Sequence, residues 1–65
     1  MSVGENIKKM REEKNMMQAE LAEKTGVTQA MICQIERGTK NPSLQVACQI
    51  AKVLGCEVNS FMKEV

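Results

Sequence analysis

Glycines at positions 4, 26, 38 and 55, together with the Asn41-Pro42 pair, interrupt this chain at short intervals. Between the interruptions apolar residues recur three or four apart, and no segment alternates apolar and polar side chains as a half-buried strand would. That pattern predicts an all-α fold of short helices. The 65 residues are read as one domain, residues 1–65. A domain of this size buries only about 60% of the surface its unfolded chain exposes, so few apolar side chains can be wasted.

The punctuation sets the expected helices. The first runs from about Glu5 to Lys14, with Val3, Ile7, Met10 and Lys14 along one stripe. Arg11 lies in that stripe too, four residues after Ile7, so a charge is aimed at the core and requires a partner. The second helix begins near Gln18 and stops before Gly26, with Leu21 and Ala22 inward and Glu20 near its positive end. Met17 stands where a capping serine, threonine or asparagine is usual, a departure that costs on the order of 1 kcal/mol. Met16 is placed to pack on Leu21 as a hydrophobic staple. The third helix is capped by Thr28 and stopped by Gly38. Ile32 and Ile35 point inward with Met31 at their border, leaving Ala30, Cys33, Gln34 and Arg37 facing out. The fourth spans roughly Ser43 to Leu54, with a core face of Leu44, Ala47, Cys48, Ile50, Ala51 and Leu54 and with Val46 and Val53 opposite. A final turn or two from Val58 carries Phe61 and Met62.

Several functions are disfavoured. There is no 18-residue apolar run, and Met1 to Lys14 alternates charge with isolated apolar residues, so neither a membrane span nor a leader is expected and the chain is read as soluble and cytoplasmic. Cys33, Cys48 and Cys56 are odd in number, lack CxxC spacing and are accompanied by no histidine, which argues against a zinc site and against a disulfide scaffold. Cys48 is expected to be a small core residue. No cofactor or metal is expected. With no histidine, no aspartate and no paired nucleophile and base, the usual parts for catalysis are missing, and the chain is not read as an enzyme. A net charge of +1 hides an uneven distribution: residues 24 to 56 hold Lys24, Arg37, Lys40 and Lys52 against Glu36 alone, a balance of +3. The flanking segments are each slightly acidic, so the electropositive middle is the part suited to phosphates.

The join between the second and third helices is the most informative stretch. Gly26 and Val27 leave almost no connection before Thr28, so the two helices must cross steeply through a left-handed residue, which Gly26 supplies. Ala22 permits close approach, and Ile32 and Ile35 fill the angle. This is helix-turn-helix spacing. An ordinary helical hairpin would also place glycine here, but the outward face of the third helix carries amides rather than large apolar anchors. A glutamine amide can pair with adenine N6 and N7, and a neighbouring Ala30 methyl can touch a thymine methyl.

The run QAELAEKTGVTQAMICQIERG, followed by NPSL and IAKVLG, resembles the phage repressor and Cro family of helix-turn-helix domains, also called the XRE family, over nearly the whole chain. The resemblance implies a compact, lambda repressor-like five-helix bundle with the third helix as recognition helix. It implies base reading in the major groove by Gln29, Ala30 and Gln34, with Cys33 adjacent as a groove-wall contact or an inert neighbour. It implies phosphate binding by Gln18, through side chain and backbone N–H, and by Arg37, Thr39, Lys40, Asn41 and Ser43. It also matches Arg11 and Glu36 to a structural ion pair between the first and third helices, a partner for the inward charge.

The modest charge implies that one copy neutralises few phosphates, and two copies on a palindrome would double that number. Val58, Phe61, Met62 and Val65 are candidates for the self-complementary patch of a homodimer, although Phe61 by itself fits core completion better. The expected function is that of a dimeric, sequence-specific regulator of transcription bound to double-stranded DNA and acting as a repressor. The alternative is an antitoxin-like or adaptor module that engages another protein through Val46, Val53 and Met62.

Overall fold

A computed structural model describes residues 2–59. They form four helices: α1 (Val3–Glu13), α2 (Gln18–Thr25), α3 (Gln29–Arg37) and α4 (Leu44–Leu54). The expected final turn begins at Val58, at the edge of the described residues, and its Phe61 and Met62 lie outside them. No helix among those described is long and apolar enough to cross a membrane.

The first helix starts two residues earlier than the sequence suggests. Ser2 is its N-cap, and a reciprocal box forms in which Glu5 N–H donates to Ser2 Oγ (3.2 Å) and Ser2 N–H donates to Glu5 Oε1 (3.2 Å). The Ser-x-x-Glu spacing is a start signal strong enough to absorb an interior glycine. Those bonds hold the Glu5 carboxyl below its ordinary range, so the box contributes above that range and is lost as pH falls through the lowered value. Gly4, read as a break, instead lies buried in the first turn of α1. A Cβ there would sit 2.2 Å from the carbonyl oxygen of Ile35 and 2.7 Å from that of Glu36. Glycine is needed for close approach of α1 to α3, not for a turn.

The second helix begins at Gln18 behind Met17, which makes no side-chain cap, while Met16 is half-buried against the core that includes Leu21. It ends at Gly26, whose φ of 74° is left-handed. Thr25 is buried, and its hydroxyl donates to the carbonyls of Leu21 (2.7 Å) and Ala22 (3.2 Å), closing the last turn from within. Thr28 then caps α3 by accepting from Met31 N–H at 3.1 Å. With Ala22, Ile32 and Ile35 all buried, α3 packs closely on α2 and α1, and α4 packs on α2.

All four helices supply the core: Val3 and Ile7, Leu21 and Ala22, Ile32 and Ile35, and Ala47, Ile50, Ala51 and Leu54. Two residues expected on the core face of α4 are not there. Leu44 is 73% exposed and Cys48 is exposed. Leu44 is the first residue of the helix, and helical side chains lean toward the N-terminus, so it projects past the packed stripe. Cys48 is rotated about 100° from Ala47 and falls off that stripe. Val46 and Val53, expected on the far side, are half-buried and pack against the core. Lys14 is exposed just beyond the end of α1.

Candidate nucleic-acid interface

The third helix presents its polar side outward. Gln29, Ala30, Gln34 and Arg37 are exposed and Cys33 is half-buried among them. At 100° per residue these five positions occupy an arc of about 140°. The single carboxylate of α3, Glu36, is turned inward, so the outward arc carries amides, a methyl group and a cation with no acid between them.

Glu36 is held by donors from two other helices. Arg11 Nε donates to Oε2 at 2.7 Å and Arg11 Nη2 to Oε1 at 3.1 Å, with the two side chains 9% and 2% exposed. Gln18 Nε2 also donates to Oε1, at 3.0 Å. The remaining arm of the guanidinium, Nη1, donates to the carbonyl of Met16 at 2.6 Å. The hydrogen bonds that Arg11 donates to Glu36 raise the Arg11 pKa, so its positive charge is secure. Among the described residues no buried side-chain nitrogen or oxygen lacks a partner. One cluster thus joins the end of α1, the start of α2 and the far end of α3. This holds the outward arc at a fixed attitude to the start of α2.

Sequence reasoning missed the Gln18 bond, although a signal existed. A carboxylate has about four acceptor sites and one guanidinium fork uses two, leaving room for a further donor. Because Glu36 can only accept, the Gln18 amide is oriented with its nitrogen inward. Its second Nε2 hydrogen and its Oε1 remain for other partners.

The loop after α3 is tied back to it. Gly38, left-handed at φ 83°, ends the helix, and the backbone N–H groups of Thr39 and Lys40 both donate to the carbonyl of Gln34, at 3.0 and 3.3 Å. The Thr39 hydroxyl donates to the same carbonyl at 3.2 Å. Both donors of Thr39 are engaged within the protein in this structure, where they shape the loop. Lys40, Asn41 and Ser43 are exposed along the loop. Ser43 Oγ accepts from Val46 N–H at 3.2 Å, which leaves its hydroxyl hydrogen available. Of the candidate interface between copies, Val58 is half-buried against the core, and Phe61, Met62 and Val65 lie outside the described residues.

A surface cleft of about 450 Å³ lies beside the first turn of α2, reaching from Asn15 and Met17 to Gln18 and Gln29. It connects the start of α2 with the start of α3. Among the described residues no group of three or more potential metal ligands occurs.

A family profile described as helix-turn-helix matches residues 7–61. The immunity repressor protein of Bacillus phage phi105 is 38% identical over 64 residues, covering 98% of this chain and 44% of that protein. The HTH-type transcriptional regulator SinR of Bacillus subtilis is 38% identical over 63 residues, covering 95% of this chain and 57% of SinR. The chain thus spans about half the length of these curated relatives. Among solved structures, the P22 c2 repressor in complex with a synthetic operator matches with a TM-score of 0.93 and 28% identity, over 97% of this chain and 96% of that one. SinR in complex with DNA matches with a TM-score of 0.86 and 38% identity, over 91% and 95% of the two chains.

Proposed function

This chain belongs to the helix-turn-helix family, and on that premise we propose that it is a sequence-specific DNA-binding regulator of transcription. The observation that carries the proposal is the outward arc of α3: exposed amides and a methyl group, free of carboxylates, on a helix clamped through Glu36 to its two neighbours. Such a helix fits the major groove. Gln29, Ala30 and Gln34 read base edges, and Cys33 lies beside them as an inert neighbour. Arg37, Lys40, Asn41 and Ser43 follow one strand of phosphates, and Gln18, with its second amide hydrogen and the backbone at the start of α2, holds another.

Two copies on a palindromic operator would double a small number of phosphate contacts, and occlusion of a promoter would make the bound form a repressor acting in the cytoplasm. The relatives named above are repressors and transcriptional regulators rather than enzymes. Of the protein-binding module built on Val46, Val53 and Met62, Met62 lies outside the described residues, and it has less to support it because Val46 and Val53 pack in part against the core.

Selection of random duplexes by the purified chain, followed by sequencing, tests the reading directly. A two-fold symmetric motif is the expected result, and no enrichment even in dilute salt would remove it. On the selected duplex, Gln29→Ala is expected to cost about 1–3 kcal/mol at one base pair and to relax preference there. Lys40→Ala is expected to weaken all sequences alike and to flatten the plot of log affinity against log salt by about one. Equal behaviour of the two variants would overturn the division of roles.

A further inference from the structure

Resting on the DNA-binding reading above, we infer that Met17 is an affinity-determining contact whose thioether packs against the deoxyribose carbons of a DNA strand lying across the cleft at the start of α2. Met17 is 74% exposed and lies outside the packed core, whereas the other described methionines, Met10, Met16 and Met31, are partly buried against it. It makes no cap for the helix it precedes. Its side chain therefore serves neither the core nor the helix end, and it occupies a position where a small polar residue would stabilise the fold. A residue that breaks a local rule with no gain to the fold is a candidate for function.

Its surroundings indicate which function. Met17 lines the cleft together with Asn15, Met16, Gln18, Ala19 and Gln29. Gln18 and Gln29 belong to the proposed phosphate-binding and base-reading sets, so the cleft is continuous with the proposed interface. Along a nucleic-acid strand the groups next to a phosphate are sugar carbons, which hydrogen-bonding side chains cannot satisfy. An exposed, flexible, polarisable side chain next to a phosphate-binding amide matches them well. Base edges fall to α3, so the Met17 contact is indifferent to sequence. It neutralises no phosphate, so it adds nothing to counterion release.

The test uses the whole chain and its selected duplex, with Met17→Ala, Met17→Ser and Met17→Leu compared by binding isotherms over a range of salt and by thermal melting. Met17→Ala is expected to bind about three- to tenfold more weakly with unchanged salt slope, the size expected for one side chain's apolar surface. Met17→Leu is expected to stay within about twofold of the parent, because apolar bulk is retained. Met17→Ser is also expected to melt several degrees higher, since it restores a cap. An alanine variant that binds as tightly as the parent would overturn the inference. So would a leucine variant as weak as alanine, or a loss that falls unequally on different sequences or alters the salt slope. If the parent chain itself selects no duplex, it is the underlying DNA-binding reading that fails, and the two failures are told apart by that control.

Discussion

Glu36→Ala is expected to destabilise the fold by about 3–5 kcal/mol, the cost typical of leaving one member of a buried ion pair without its partner. Three donors converge on this carboxylate, two from Arg11 and one from Gln18, and the Arg11 side chain has almost no access to water that could replace it. A chain of 65 residues has a total stability of roughly 3–10 kcal/mol at about 0.05–0.15 kcal/mol per residue, so the substitution removes about a third or more of it. Urea denaturation followed by circular dichroism measures the effect. Replacing both partners at once, Arg11→Met with Glu36→Leu, should recover most of the loss, because the charge left stranded by the single change is then gone. The double variant should nevertheless lose affinity for DNA relative to its stability, since Gln18 no longer has an anchor. A Glu36→Ala variant within about 1 kcal/mol of the parent would show that the cluster does not hold the helices together.

Gly4→Ala is expected to cost about 1–3 kcal/mol, although alanine is the better helix former by about 1 kcal/mol. The added methyl carbon would lie 2.2 Å from one α3 carbonyl oxygen and 2.7 Å from the next. These are backbone atoms and cannot rotate away as the end of a long side chain can. The first helix would have to retreat from α3, and the retreat would strain the Arg11–Glu36 contact that bridges the same two helices. Chemical denaturation of this variant separates the two influences by sign. A gain in stability would mean that helix propensity outweighs the close approach and that the helices are free to separate. Placing the same substitution in a chain that already lacks the Arg11–Glu36 pair should give a smaller loss, because part of the cost is then already paid.

Much of the architecture was legible along the chain because the signals were local. Thr28 and Ser43 cap their helices through hydroxyls, and Gly26, Gly38 and Gly55 end theirs in left-handed conformations, as the spacing of polar, apolar and glycine residues implies. Arg11, an inward charge four residues after Ile7, called for a partner, and the family resemblance pointed to Glu36. Gly4 was misread because a glycine that permits close packing looks the same in sequence as one that ends a helix. Leu44 and Cys48 were misread because periodicity marks a stripe but not where neighbouring helices stop covering it. The engagement of Gln18 by Glu36 and of Thr39 by Gln34 went unseen because each depends on the direction of a side chain.

By itself, then, the sequence determined the helical class, the stops at Gly26, Gly38 and Gly55, and the inward residues Ile7, Leu21, Ala22, Ile32, Ile35, Ala47, Ile50, Ala51 and Leu54, since each depends on conformational preference and burial over a few neighbouring residues. Only the tertiary structure decided which polar groups remain free to meet a ligand. Hydrogen-bond donors are consumed by acceptors distant in the chain, as the Gln18 amide is by the Glu36 carboxylate, and no local pattern records which of them have been used.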